Sequence, residues 1–332
     1  MTDLAPQELR ILVAVEREQG FTAAAAALGM TQSAVSHAVR TCERKLGAVL
    51  FDRGRHGATP TPAGRRVVGH ARRILRLLDR LPFEARESED GRVAGPLRIA
   101  AFRSVAAHVL PPVLARLAER HPDLAPEVSV IRDLGRGTAG EVADGRADLG
   151  LATLNADTAA VPGLVAAPLF TEPYALAHRI GHPDPHSLPL VDWDENCGSY
   201  TRSWWQRQDW IPSATINVAD DTVVLSLVAQ GVGMAIMPHL TLLNPPADLA
   251  VTDLGPQPPA RQVGYVTTPE LARTAPVRAL IRELRAAPLL PGLTRTAERA
   301  PGRAAQSPTA SRGQSPTASR SRANSAAIPS SV

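Results

Sequence analysis

From Pro6 to Gly20 the apolar positions Leu9, Leu12, Val13 and Val15 recur at helical spacing, with a proline to open the segment and a glycine to close it. A helix of about four turns is expected there. The next run, FTAAAAALG, reads as a short alanine-rich helix ending at Gly29, with so little bulk that a neighbouring helix can cross it closely. Thr31 then stands at an N-cap position, where its hydroxyl can accept from the free N–H groups of a third helix beginning at Gln32. On that helix Val35, Ala38, Val39, Cys42 and Leu46 form one stripe to be buried, and Gln32, Ser33, Ser36, His37, Arg40 and Arg44 form the opposite side.

An ordinary solvated helix mixes Glu and Lys on its polar side. This one puts short hydrogen-bonding side chains at its N-terminal end and arginines further along, the order that suits base edges first and phosphates next. Two short helices joined by a glycine-containing turn, the second polar at its start, make a helix-turn-helix. The following AVLFDRGRHGATPTPAG reads as a strand, a turn rich in Gly and Arg, a returning strand, and a new helix capped by Thr61 with Pro62 at its first position. That is a wing, carrying Arg53 and Arg55. From Pro62 to Leu81 the positions Val67, Ala71, Ile74, Leu78 and Leu81 alternate steps of four and three, which fits either a heptad seam or a surface helix lying on the rest of the chain. Pro82 is expected to end or kink this helix early.

Beyond residue 93 the period changes. GPLRIAAFRS, APEVSVIRDLG and DLGLATL read as strands, separated by helices at VLPPVLARLAERHPD and TAGEVADGRA. Strands alternating with helices imply parallel pairing in an α/β sheet. A second such run covers FTEPYALAHR, ADDTVVLSLVAQG and VGMAIMP, and the chain returns through ARQVGYVTT to a helix from Pro276 to Arg285. Two lobes joined by crossing strands imply a hinged cleft for a small ligand.

Charge sharpens the picture of the N-terminal part. The formal net charge is +4, yet the segment from Arg40 to Arg80 is rich in arginine and carries only Glu43, Asp52 and Asp79 as acids, whereas Val93 to Glu298 is slightly acidic. A basic head on a neutral or acidic body points to a polyanion partner for the head. No stretch reaches the roughly 18 uninterrupted apolar residues of a membrane span, and Met1 to Arg10 lacks a signal-peptide pattern, so a cytoplasmic protein is expected. The two cysteines, Cys42 and Cys197, are too far apart for a disulfide framework or a clustered metal site.

The run from Phe21 to Leu75 resembles the winged helix-turn-helix of the LysR-type transcriptional regulators: it carries that family's spacing of an Ala pair, Leu, Gln-Ser, Val-Ser, Glu, Leu-Gly, Leu-Phe, Arg, Thr and Ala-Gly. The resemblance implies that Gln32, Ser33, Ser36 and His37 contact DNA, with Arg53 on the wing, and that the helix after the wing pairs with its counterpart in a dimer. Arg40 and Arg55 are added as DNA contacts on their position. The body resembles the family's effector domain, similar to periplasmic binding proteins, through LP after the first strand, GRADLGLAT, GHPDPHSLPLVDW and LVAQGVGMAIMP. By that correspondence the cleft is lined by Ser104, Gly135, Arg136, Thr153, Ser199, Tyr200, Thr201 and Thr222. Hydroxyls and helix N-termini around a cleft favour a small organic acid.

Other motifs carry less. GRGTAG, residues 135–140, spells G-x-G-x-x-G, but it follows a complete strand and helix and opens a helix of barely two turns, so a dinucleotide site is not expected. His178, His182 and His186 recur every four residues, but Gly181, Pro183 and Pro185 break any helix between them and a surface loop is expected. No G-x-S-x-G elbow is present, so neither a catalytic site nor a cofactor is expected. Cys197 reads as packing rather than as a redox sensor. The tail from Arg299, with its tandem QSPTASRG and QSPTASRS, reads as disordered.

The expectation is therefore an α/β protein: a winged helix-turn-helix over residues 1–60, a linker helix over 61–92, a two-lobed periplasmic-binding-protein-like effector domain over 93–298, and a low-complexity tail over 299–332. Its partners would be double-stranded promoter DNA, a small-molecule effector, a second copy in a dimer or tetramer, and RNA polymerase if it activates, with no metal and no membrane. The competing class is a solute-binding protein or enzyme with an N-terminal helical extension.

Overall fold

Backbone caps define the head. The computed structural model describes residues 3–54, 57–90, 92–155, 158, 161–196 and 199–296. In α1 (Pro6–Arg17) the Glu8 carboxylate reaches back to accept from the Ala5 N–H at 2.8 Å. Helix α2 (Phe21–Leu28) stops at Gly29 and α3 (Gln32–Leu46) at Gly47, where φ values of 64° and 65° are left-handed and suit glycine. Thr31 Oγ1 accepts from the Ala34 N–H at 3.2 Å, the cap its position predicts. The α3 stripe is buried as expected: Val35, Val39 and Cys42 are sealed against Leu12, Val15 and Ala24, with Ala38 and Leu46 at the margin. Burial pushes the Cys42 thiol up to about 11, so it is an inert core residue.

The wing is β1 (Phe51–Gly54) paired antiparallel with β2 (Gly57–Pro60). Glu43, on the edge of α3, holds it: one carboxylate oxygen accepts from the Leu50 N–H at 2.8 Å and the Phe51 N–H at 3.3 Å. Next comes α4 (Pro62–Asp90). Its cap Thr61 accepts from the Gly64 N–H at 3.0 Å and donates to the Val49 carbonyl at 2.8 Å. Gly64 lies so close to the Leu50 carbonyl oxygen that a β-carbon would sit 1.9 Å from it, so only glycine lets the helix start against the wing.

Helix α4 departs from expectation in two ways. It does not end at Pro82 but runs through it to Asp90. The Phe83 ring is seated over Gly95, a tertiary contact that offsets the hydrogen bond a proline removes. The seam also divides. Ala71 is buried and Val67 half-buried in the head, whereas Ile74, Leu77 and Leu81 are exposed along one stripe while Arg76 and Arg80 are buried. The helix thus rests one face on the body and leaves an apolar stripe on another. Arg76 Nη1 donates to Asp148 Oδ1 at 2.7 Å in a buried pair, and Asp148 Oδ2 accepts from the Arg98 N–H at 2.7 Å. Gly145 (φ +72°) lets the loop approach: a β-carbon there would stand 2.9 Å from Arg72 Cβ.

The body is a two-lobed α/β structure. In the first lobe β3 (Gly95–Ala101) lies parallel to both β4 (Leu124–Val130) and β5 (Leu149–Thr153). Helices α5 (Arg103–His108), α6 (Leu110–Arg120) and α7 (Gly137–Ala143) connect them. The 15-residue β6 (Val165–Arg179) crosses into the second lobe. There β7 (Leu190–Trp193), α8 (Ser199–Trp205), β8 (Ala214–Val218), α9 (Asp221–Ala229), β9 (Ala235–Pro238) and β10 (Leu249–Asp253) follow in order. β11 (Ala260–Thr267) returns antiparallel to β6 and β5, and α10 (Ala275–Ala286) and β12 (Thr294–Arg295) close the first lobe.

Pairing is parallel among β3, β4 and β5 and between β7 and β8, as the alternating pattern predicts, but β11 runs antiparallel to β5 and β6, and β9 and β10 join β6 antiparallel. That follows from β6 entering the second lobe as a crossing strand. Apolar side chains cover both faces of the first sheet: Ile99, Leu110, Val113, Val277 and Leu280 on one, Ala100, Ala139, Val142 and Val266 on the other. The repetitive tail lies outside the described residues.

If Glu43 carries the wing, Glu43→Ala should speed hydrogen exchange at the Leu50 and Phe51 amides by at least about tenfold, because a hydrogen bond to a charged acceptor is worth roughly 1.5–3 kcal/mol. Unchanged exchange at both amides would exclude that role.

Candidate functional site

Two places bring polar groups together without an apolar reason: the outer side of α3, and the gap between the lobes. On α3, Gln32, Ser33, His37, Arg40 and Arg44 are exposed on the helix surface. Ser36 departs from the expected polar side: it is buried, and its hydroxyl accepts from Arg40 Nη2 at 3.0 Å. The hydroxyl is thus engaged by Arg40 on the helix itself and does not project outward. Lys45 ties the far end of α3 to α1, reaching both Glu8 oxygens at 2.8 Å; the hydrogen bond from Lys45 holds the Glu8 carboxyl below its usual range. Arg53 falls on β1, but its side chain, like the whole of Arg55, lies outside the described set. Sequence reasoning missed Glu43, whose signal was an acid placed beside an otherwise polar and basic helix side.

The second place lies at the carboxyl ends of β3, β4 and β5, where ligands bind open α/β sheets. It is filled with ion pairs. Arg103, just after β3, reaches across to Asp220 and Asp221 at the start of α9, with Nη1 2.6 Å from Asp220 Oδ1. Arg132, after β4, reaches Glu195 Oε1 at 3.0 Å, Asp194 Oδ2 at 3.3 Å and the Ala219 carbonyl at 2.6 Å. The Asp133 N–H donates to Glu195 Oε2 at 3.3 Å. Every one of these contacts joins the first lobe to the second.

Behind them lies the crossing point of β6 and β11, where Arg261 and Glu172 face each other as cross-strand partners. Glu172 is fully buried; Arg261 Nε donates to its Oε2 at 2.7 Å, and the Leu240 N–H donates to its Oε1 at 2.7 Å. Arg261 also stacks 4.6 Å over the Phe102 ring, donates to Ser104 Oγ at 3.3 Å and stands 4.0 Å from Asp133. Burial opposes its charge, but Glu172, Tyr174 and Asp133 more than offset this, so its pKa is raised. Burial likewise pushes the Asp133 carboxyl up, against Arg261 and the Thr153 hydroxyl, which donates to it at 2.6 Å.

The expected cleft residues therefore separate. Ser104, Thr153 and Thr222 reach the cleft, but each hydroxyl is already used, the last donating to Asp220 Oδ1 at 2.5 Å. Thr201 is buried in α8, which packs against β11. The side chains of Ser199 and Tyr200 lie outside the described set, and so does Cys197. Gly135 and Arg136 do not join the ion pairs: they line a groove beside α4, with Arg136 Nη2 3.0 Å from Asp144 Oδ1. The three spaced histidines also separate. His178 is buried in β6 with Nε2 2.8 Å from Thr252 Oγ1, and His186 stacks on Trp210. Sequence reading missed Arg103, Arg132, Glu172 and Arg261.

A winged helix-turn-helix followed by a two-lobed ligand-binding fold defines a one-component DNA-binding regulator rather than an enzyme. Residues 6–65 match the bacterial regulatory helix-turn-helix protein model of the lysR family, and residues 90–288 match the LysR substrate binding domain. The chain belongs to the LysR family of transcriptional regulators. It is 35% identical over 288 residues to the probable HTH-type transcriptional regulator LrrA of Synechococcus elongatus, covering 84% of this chain and 95% of that protein. It is 37% identical over 175 residues to a probable hydrogen peroxide-inducible genes activator of Mycobacterium xenopi, covering 53% of this chain and 89% of the relative. The fold matches a full-length OxyR variant from Pseudomonas aeruginosa with a TM-score of 0.67 at 21% identity, over 90% of this chain and 99% of the other. It also matches full-length CbnR complexed with its target DNA, with a TM-score of 0.61 at 20% identity, over 85% and 99% of the two chains. Among the described residues no helix is long and apolar enough to cross a membrane.

Adjacent acids in the interlobe latch should behave in opposite ways. The Arg103 hydrogen bond, then Thr222, holds Asp220 well below the usual carboxylate range, so its contribution is complete above about pH 4 and is lost as pH falls through its folded value. Burial pushes Asp221 up, only partly countered by Arg103, so its ionisation costs stability as pH rises through its elevated value. Calorimetric unfolding at pH 7 should show a lower Tm for Asp220→Asn and an equal or higher Tm for Asp221→Asn. A drop of the same size for both would rule out this division.

Proposed function

We propose that α3 enters the major groove of promoter DNA and reads base edges with Gln32, Ser33, His37 and Arg40, that Ser36 aims Arg40, and that Arg53 and Arg55 of the wing hold phosphates. The observation that carries this is the exposed start of α3, where short polar groups precede the arginines and Glu43 fixes the wing alongside. The chain divides in this reading into a DNA-binding head over 1–60, a linker over 61–92, a regulatory domain over 93–298 and a tail over 299–332. Ile74, Leu77 and Leu81 of α4 supply the apolar stripe for pairing with a second copy, in a dimer or tetramer. A cytoplasmic location follows from the work of a promoter-binding protein, and contact with RNA polymerase follows if it activates.

The effector belongs in the interlobe cleft, where Ser104, Thr153 and Thr222 stand beside the latch, and the start of α8, at Ser199, Tyr200 and Thr201, is a further candidate contact. The charges there refine the expected organic acid. Asp133, Asp194, Glu195, Asp220 and Asp221 face Arg103, Arg132 and Arg261, so acids are in excess. A bare carboxylate meets repulsion, while a zwitterion can give its carboxylate to Arg103 or Arg132 and its cation to the acids left behind. Binding would exchange interlobe ion pairs for ligand contacts and change the closure of the lobes.

Binding to DNA flanking its own gene, followed by fluorescence anisotropy, tests the head. His37→Ala should erase the preference for specific over random duplex, and Arg53→Ala should weaken both alike and lower the salt slope by about 1. Equal effects of both variants on the two duplexes would contradict the roles. A thermal-shift panel tests the cleft: amino-acid-like zwitterions should raise the Tm more than monocarboxylates of the same size, and the reverse order would remove the zwitterion reading.

A further inference from the structure

We propose that the groove between α4 and the first lobe is a second ligand site, for a small phosphate-type oxyanion such as a phosphorylated metabolite. It is separate from the interlobe cleft and does not depend on how that cleft is read. The groove encloses about 1220 Å³. Its basic wall is Arg65, Arg66, His70 and Arg73 from α4 and Arg136 and Arg146 from the first lobe. The acids on the same wall are already engaged: Glu16 pairs with Arg72, and Asp144 accepts from Arg136 at 3.0 Å and Arg146 at 2.8 Å. Arg146 is further occupied by Glu141, whereas among the described residues Arg65 donates to the Pro60 carbonyl alone, at 2.9 Å, and Arg73, which has the Glu270 carboxylate in its field, makes a 3.5 Å approach to His70 Nδ1.

A smaller cavity of about 250 Å³ shares Arg72 and Arg146 with the groove and adds Arg76 and Arg98; Asp79 is the carboxylate on its wall. Each of the two cavities has on its wall an arginine with an N–H buried without an acceptor, Arg73 in the groove and Arg76 in the smaller cavity. Arg76 is 6% exposed, and while its Nη1 is held by Asp148, its Nη2 has no partner; Arg73 Nε has none either. Such donors are rare in folded proteins because they have left water and gained nothing. Burial also drives the pKa values of Arg72 and Arg76 below the ordinary arginine range, a penalty that an anion beside them relieves.

The donor set specifies the ligand. Guanidinium forks approaching from two sides match the several oxygens of a phosphate group, the inner cavity is large enough for one such group, and the outer groove has room for the rest of a metabolite. Backbone phosphates of duplex DNA share this chemistry, but Arg73 Nε and Arg76 Nη2 have almost no accessible surface, so engaging them takes a small oxyanion seated within the cavities and a turn of the guanidinium groups toward it, which a wide duplex at the surface does not supply. A ligand held there touches the linker helix and the effector lobe together. It would fasten the head to the body and give the regulator a second input.

Isothermal titration calorimetry of the full chain with inorganic pyrophosphate tests the site, with sodium sulfate and sodium chloride at matched ionic strength as controls. One equivalent of pyrophosphate should bind with a Kd on the order of 10–100 μM. Arg73→Gln should weaken it at least tenfold, and so should Arg76→Lys, which keeps the ion pair with Asp148 but removes the unpartnered nitrogen. Arg73→Gln, at a half-buried position, should unfold at the wild-type Tm, so that its loss of affinity is not a loss of fold. Saturating random duplex should leave pyrophosphate binding unchanged. The proposal is overturned by absent binding up to about 10 mM, by affinity that neither variant alters, or by displacement with duplex, which would assign these arginines to the DNA backbone.

Discussion

The buried pair of Glu172 and Arg261 sits where the strands that join the two lobes cross, and the surrounding polar groups are organised by it. A fully buried carboxylate is tolerable only with its lone pairs engaged, and Glu172 has both oxygens occupied, by Arg261 and by the Leu240 N–H. The guanidinium in turn spreads its remaining contacts to Ser104, Asp133 and the Phe102 ring, all at the ends of first-lobe strands. The hinge is thereby rigid in its centre. Movement between the lobes falls to the more exposed pairs in front, Arg103 with Asp220 and Asp221 and Arg132 with Asp194 and Glu195. Exposed pairs are individually weak and exchange partners easily, which suits a latch that a ligand must open.

How that movement could reach DNA depends on α4. Its inner face is fastened to the first lobe by the buried Arg76 and Asp148 pair, and Asp148 is itself held by the Arg98 N–H of β3. The approach is close because Gly145 meets the helix where a side chain would collide with Arg72. At the other end the same helix starts against the wing through Gly64 and Thr61. One continuous helix, carried past Pro82 by Phe83, thus contacts both the recognition unit and the base of the effector lobe. A rigid element shared by two sites is the physical requirement for coupling them.

The head was legible from the sequence because its determinants are local. Thr31, Thr61, Gly29 and Gly47 mark helix ends through contacts within a few residues, and the stripe of Val35, Val39 and Cys42 needs only a helical period. Ser36 was misplaced because, at 100° per residue, it lies about 60° from Val39, on the border of the buried stripe. The parallel pairing of β3, β4 and β5 was equally readable from alternation. The cleft chemistry was not: Arg103 and Asp220 are 117 residues apart, Arg261 and Glu172 are 89, and no spacing rule connects such positions. Hydroxyls assigned to a ligand by family correspondence turned out to serve neighbouring carboxylates, and Gly135 and Arg136 face the linker helix instead. Pro82 misled for a related reason, since its effect was decided by a ring contact with Gly95, outside the helix.

The interlobe latch as the link between ligand and DNA is tested most directly by operator affinity in the Arg103→Ala variant, measured by fluorescence anisotropy with and without a zwitterion that raises the wild-type Tm. Removing Arg103 should mimic the ligand: the ligand-free variant should bind operator as the liganded wild type does, and added ligand should change its affinity little. A variant that keeps the ligand-free wild-type affinity and responds fully to the ligand would show that the latch does not transmit the signal.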